Sequence, residues 1–196
     1  MKSTEDWIEF FKAEVPKHIT DTRWEHTLRV AEFCFALAEK FSYKNPHSAY
    51  LAGLLHDTTK QKKMEFHLDY FIRSHFDFAN IPKQAFHAFS APIFIKEEYK
   101  FEDEEIFSAM RSHTMGKPNL DLLEKIVYTA DFLGSSFAAK QPEYETWKEK
   151  CYLNLEFGVL LKAKKTIQNL IETNEPIHNH TITTYNETIL LLQENL

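Results

Sequence analysis

Cysteine is nearly absent. Cys34 and Cys151 are too few and too far apart to form a disulfide framework or a zinc knuckle; they read as small buried apolar residues of a protein from a reducing cytoplasm. Glycine and proline are also scarce, at four and seven residues, which disfavours a turn-rich sheet protein and favours long helices. Surplus positive charge is missing too. A formal net charge of -6 argues against a surface that displaces counterions from a long nucleic acid. No segment approaches the roughly 18 consecutive apolar residues of a membrane span, and the opening MKSTEDWIEFFKAEVPKH is charged throughout, with no apolar signal core. These absences lead us to expect a soluble, cytoplasmic protein without a membrane partner.

What is present is enough apolar material, 43% hydrophobic and 14% aromatic, to build a substantial core in one all-α domain over residues 1–196. Helical spacing runs through Thr4–Val15 behind a Ser3 or Thr4 cap, then through Thr22–Phe41, where Trp24, Leu28, Ala31, Phe35 and Ala38 mark one face and His26, Val30 and Phe33 the neighbouring stripe. After Asn45-Pro46 a third helix is expected from about His47 to Lys60, with His56 near its end. Met64–Phe78 is weakly patterned. Pro82 starts a further helix that carries His87, with Ala85, Phe89, Ile93 and Phe94 buried, and Asp103–His113 follows up to a Gly116, Pro118 stop. Leu120–Phe137, Tyr144–Glu172 and Thr184–Leu196 complete the expected set, with Asp131 inside the first of these three.

Helix interiors seldom carry His or Asp without a partner, because burying an unpaired polar group costs several kcal/mol, of order 2–7. Here His26, His56, Asp57, His87, His113 and Asp131 are spread over different expected helices, so only tertiary packing can unite them. If they converge, imidazoles and carboxylates without thiolate suit iron, manganese, zinc or magnesium. The neighbours His56 and Asp57 point about 100° apart on a helix, an awkward pair for a core or a surface that a shared metal at a helix end resolves. Any single histidine is more often a core or surface residue than a ligand, and His18, His47, His67 and His75 stay in that class. Trp7, Phe10 and Phe11 read as core.

The residues Arg23-Trp24-Glu25-His26-Thr27, Leu54-Leu55-His56-Asp57-Thr58-Thr59-Lys60, His87 with Ala91, Ser112-His113-Thr114-Met115-Gly116-Lys117-Pro118 and Ala130-Asp131 resemble the HD-domain superfamily, and within it the YqeK-type symmetrical bis(5'-nucleosyl)-tetraphosphatases. The resemblance extends from about Arg23 to the C-terminus. It implies an HD-domain helical bundle in which His26, His56, Asp57 and Asp131 bind a divalent or trivalent metal, commonly iron. His87 and His113 would face the phosphates or, as in two-metal relatives, hold a second ion bridged by Asp57. Arg23, Lys60 and Thr114 match positions that contact nucleotide, and Lys117 joins them from the same loop. The tail from Pro176 to Thr181, with Tyr185 beyond it, resembles the segment that closes the family's nucleotide pocket, which adds His178 and Tyr185 to the substrate contacts.

One position departs from this pattern. The family continues after its metal-binding Asp with a Glu-Pro-x-Arg stretch whose Arg touches nucleotide, and this chain carries Phe137 there. Losing that cation removes a charge-assisted, often bidentate contact. The implied reaction is hydrolysis of a phosphoanhydride, with diadenosine tetraphosphate giving two ADP: Asp57 aligns or deprotonates the attacking water, and His87 or His113 protonates the leaving oxygen. The alternatives are action on another nucleotide and a non-catalytic nucleotide-sensing module; an iron oxygenase on the same ligands fits less well beside Arg23, Lys60 and Lys117. The expected partner is a small nucleotide, and the sequence leaves the oligomeric state open, with a homodimer among the options.

Overall fold

The computed structural model describes residues 2–194, and every regular element among them is helical. Helix α1 spans Thr4–Glu14 and starts at Ser3, whose hydroxyl accepts from the Asp6 amide while the Asp6 carboxylate accepts from the Ser3 amide. Its Trp7, Phe10 and Phe11 pack against Tyr99 and Phe101 at ring separations of 5.1–5.7 Å, a core role as expected.

Helices α2 (Asp21–Lys40) and α3 (Pro46–Leu55) form the central pair. The α2 face that is sealed from solvent is His26, Thr27, Val30, Ala31, Cys34, Leu37 and Ala38. Trp24, Leu28 and Phe35, expected to lead the apolar face, are only half-buried at its flank. The deep stripe therefore is the one that carries His26. Gly53 sets the spacing of the pair, since a Cβ there would come within 2.8 Å of Ala31 Cα and 2.9 Å of Cys34 Sγ.

Several elements end earlier than hydrophobic periodicity suggests. Helix α3 stops at Leu55, and His56 opens a run of turns to Thr59 and beyond. Helix α4 (Met64–Arg73) stops at Ser74 because His75 adopts a left-handed φ of 54°. Helix α5 spans Phe86–Tyr99 with Pro92 inside it, and buries Phe94 while Phe89 and Ile93 stay half-buried. Helix α6 (Glu104–Ser112) hands over at His113 to a loop in which Gly116 has φ 71°, a conformation that favours glycine.

Two long expected helices are broken. Leu120–Phe137 becomes α7 (Leu122–Leu133), capped by Asp121 and stopped at Gly134, and the short α8 (Ser136–Ala139), capped by Ser135. Tyr144–Glu172 becomes α9 (Tyr144–Leu153) and α10 (Leu155–Glu172), because Asn154 is extended (φ -148°) and its side chain caps the Glu156 amide. Helix α11 spans Asn179–Glu194, starting before the expected Thr184; the expected end at Leu196 lies outside the described residues. Thr181 and Thr184 donate to the Met115 and Lys117 carbonyls, which fastens α11 to the loop after α6. No helix among the described residues is long and apolar enough to cross a membrane.

Candidate metal centre

The ends of α3 and α6, the start of α5 and the interiors of α2 and α7 converge on Asp57. Its two oxygens are divided between two pairs of histidines. Oδ2 lies 3.8 Å from His26 Nε2 and 3.4 Å from His56 Nε2, while Oδ1 lies 3.3 Å from His87 Nε2 and 3.6 Å from His113 Nε2. Asp131 joins the first pair, with Oδ1 3.2 Å from His26 Nε2 and 3.5 Å from His56 Nε2. All four histidines and Asp57 are buried.

Three of the imidazoles have their tautomer fixed by the backbone. His26 Nδ1 lies 3.0 Å from the Gly134 carbonyl, His56 Nδ1 2.6 Å from that of Gly53 and His113 Nδ1 2.6 Å from that of Met110. A carbonyl oxygen only accepts, so Nδ1 carries the proton and a neutral ring turns its Nε2 lone pair inward. In the neutral rings those lone pairs face carboxylate lone pairs, a conflict that a proton on His56 relieves in part and a metal cation relieves in full. His26 Nε2, His56 Nε2 and Asp57 Oδ1 are buried without a hydrogen-bond partner, a state that costs about 1–3 kcal/mol per group unless a cation removes it. Backbone-oriented imidazoles aimed with carboxylates at a common point are the arrangement metal sites use. The close-set donor groups are His26, His56 and Asp57, and Asp57, His87 and His113. The donors present therefore fit a divalent cation.

The electrostatics agree. Burial pushes the His56 imidazole down, but Asp57 and Asp131 outweigh it and raise it to about 9, which measures the negative potential a cation would meet. Burial opposes ionisation of Asp57 and Asp131 as well, yet both stay charged well below the usual carboxylate range, Asp57 through His56, His113 and His87 and Asp131 through Lys162, His26 and His56. Burial prevails at the other pair. His87 is pushed down to about 3 and His113 is lowered too, so both rings are neutral at neutral pH, each with a single N–H.

Cations line the approach. Arg23 Nη1 donates to Asp57 Oδ2 at 3.1 Å, Lys60 Nζ lies 3.2 Å from His87 Nε2, and the Thr114 hydroxyl lies 3.1 Å from His113 Nε2. These side chains border a cleft of about 500 Å³ that also reaches Lys162 and Phe137. It meets a second cleft of about 660 Å³ at Thr114 and Thr166, and the wall of this second cleft includes Ile81, Pro82, Ile177 and His178. Lys117 and Tyr185 are placed elsewhere. The Lys117 ammonium lies 2.5 Å from the buried Glu124 carboxylate and lines a different cleft, and Tyr185 packs against the cluster of Tyr128, Val159 and Ala163.

Lys162 is the residue that sequence reasoning missed. Its buried ammonium donates to Asp131 Oδ2 and to the His113 carbonyl, both at 2.6 Å, and lies 4.2 Å from the centre of the Tyr128 ring. Amid Leu161-Lys162-Ala163-Lys164-Lys165 it reads as one of several solvated lysines. The available signal is its helical spacing from Leu155, Gly158 and Val159, which puts it on the buried stripe of α10.

This constellation on a helical scaffold matches the HD domain, whose family model covers residues 23–134. The chain belongs to the HD-domain family and is a metal-dependent phosphohydrolase. It is 32% identical over 180 residues, 90% of its length and 94% of the relative's, to a protein of Halalkalibacterium halodurans named symmetrical bis(5'-nucleosyl)-tetraphosphatase. A Bacillus subtilis protein of the same name is 28% identical, with 88% and 92% of the two chains covered. Among solved structures, an HD superfamily hydrolase of Clostridium acetobutylicum, described as involved in NAD metabolism, shares the fold with a TM-score of 0.84 at 23% identity, over 96% of this chain and 98% of that one.

Proposed function

We propose that this protein hydrolyses dinucleoside tetraphosphates symmetrically, so that diadenosine tetraphosphate and one water give two ADP. The observation that carries the reading is the division of Asp57 between two histidine pairs at the floor of a cation-lined cleft. The names of the relatives point to the same substrate. His26, His56, Asp57 and Asp131 are the residues that would hold the metal, with iron the first choice and manganese next for a nitrogen and oxygen donor set. Bound there, such a cation supplies Lewis acidity that activates water and draws charge from a phosphoryl oxygen.

The chain's own groups do the rest. Arg23 and Lys60 bind the polyphosphate and take up the charge that develops on the departing ADP, while Thr114 donates a hydrogen bond. Asp57 orients the attacking water, which adds to one central phosphorus as the bond to the bridging oxygen breaks. His87 and His113 line the phosphate path beside Lys60, and the one that gains a proton on Nε2 as the anionic substrate enters donates it to the leaving oxygen. The second cleft, with His178 in its wall, takes one nucleoside.

The test is product analysis after loading with Fe²⁺ or Mn²⁺. ADP as the sole product, lost in the double variant His56→Ala, Asp57→Ala, is the expected result. Unequal products such as ATP and AMP, or metal content and turnover unchanged in that variant, would refute the reading.

A further inference from the structure

Among the described residues, every side chain bordering the cleft over the candidate metal centre is charged or polar except one. Phe137 lies on its wall and is 52% exposed. An exposed phenyl ring is unremarkable on an open surface, but here it borders the same cavity as Arg23, Asp57 and Lys60. Its support is firm. The ring leans on Phe132 at a 60° tilt with centroids 6.3 Å apart, and the Ser135 hydroxyl donates to the Phe132 carbonyl at 2.7 Å while accepting from the Ala138 amide at 3.1 Å. One step earlier the Gly134 carbonyl accepts from His26 Nδ1, so the turn that presents Phe137 is tied to the metal-facing histidine.

A substrate with a nucleoside at each end of a tetraphosphate needs two places for a base. The second cleft, walled in part by Ile81, Pro82 and Ile177, offers one. The other must lie along the first cleft, where Phe137 is the single apolar surface among the described lining residues. We infer that Phe137 is the stacking platform for the base of the second nucleoside and that it determines preference for two-base substrates. The inference rests on the dinucleotide reading above and adds the residue that recognises the distal half. Any base has a π face, so this platform tolerates different bases, and stacking on it is worth about tenfold in binding, within a range of roughly 5- to 100-fold.

The experiment compares diadenosine tetraphosphate with adenosine 5'-tetraphosphate, which has the same phosphate chain and one base, assayed by turnover or as a competitive inhibitor with Mn²⁺. In Phe137→Ala, kcat/KM for the dinucleotide should fall about tenfold, mainly through KM, while the constant for the one-base compound stays within about twofold. Phe137→Trp should retain the preference and Phe137→Leu should not restore it, which separates a ring from mere bulk. Equal losses on both compounds, or none on the dinucleotide, would overturn the assignment. Failure of the parent reading looks different: the unmutated protein then does not cleave the dinucleotide at all.

Discussion

The Nε2 atoms of His87 and His113 lie 3.1 Å apart, and both face Asp57 Oδ1. With Asp57 they resemble a second metal set, but Lys60 Nζ lies 3.2 Å from the same His87 nitrogen. A fixed ammonium there opposes a second divalent cation and favours an anionic phosphoryl oxygen. The expected stoichiometry is therefore one metal ion per chain, retained in the double variant His87→Ala, His113→Ala and lost in His26→Ala, His56→Ala. Elemental mass spectrometry of the purified proteins decides this; two ions in the wild type, falling to one in the first variant, would assign that pair to metal.

Lys162 offers a separate test. Replacing it with Met leaves Asp131 charged and without its nearest cation; with Lys162 buried and Asp131 22% exposed, the loss comes to at most about 3–5 kcal/mol, the cost of breaking a fully buried pair from one side. For a chain of this size that corresponds to a fall in Tm of roughly 6–20 °C. Added Mn²⁺ should recover part of the loss, because it too offsets Asp131. Thermal unfolding with and without the metal measures both, and a Tm within about 2 °C of wild type would show that the pair contributes little.

The metal-free protein should be most stable near pH 6.5. His87 is held down to about 3 in the fold against about 6.5 unfolded, so as pH falls below 6.5 the unfolded chain gains a proton that the native one cannot, and stability drops by several kcal/mol, up to roughly 4–5. His56 acts in the opposite sense. Raised to about 9, it contributes stability that is complete below about 6.5 and is lost as pH rises through 9. Urea unfolding in a chelator from pH 4 to 9 should trace this maximum, and His87→Gln should flatten its acid side. Stability that climbs steadily toward either extreme would contradict the assignment.

Gly53→Ala should damage the site from a distance. The added methyl meets the α2 backbone at Ala31, so α2 and α3 must separate, at a cost of about 1–3 kcal/mol. The Gly53 carbonyl also holds His56 Nδ1, so metal affinity should fall about tenfold or more, as it does when an outer hydrogen-bond partner of a metal ligand is disturbed. Calorimetric titration with Mn²⁺ measures the affinity and denaturant unfolding the stability; unchanged values in both would mean the helix pair tolerates the methyl.

Much of this protein is legible in its sequence. The low glycine content and the helical periodicity determined an all-helical fold, and His26, the His56-Asp57 pair, His87, His113 and Asp131 stood out because helix interiors do not carry such residues idly. What periodicity overestimated was continuity. Ser135 and Asn154 break helices because each has an extended backbone and a side chain that caps the next helix, effects weaker in sequence than a run of apolar residues, and the break at Ser135 creates the turn that presents Phe137. Only the tertiary structure decided which of many cations serve the site. Lys117, which the motif loop recommended, is spent on Glu124, whereas Lys162, hidden among ordinary lysines, anchors Asp131. The reason is physical: a lysine's role depends on which charge lies within a few ångströms of its ammonium, and that distance is set by how α7 and α10 pack, not by the residues beside it in the chain.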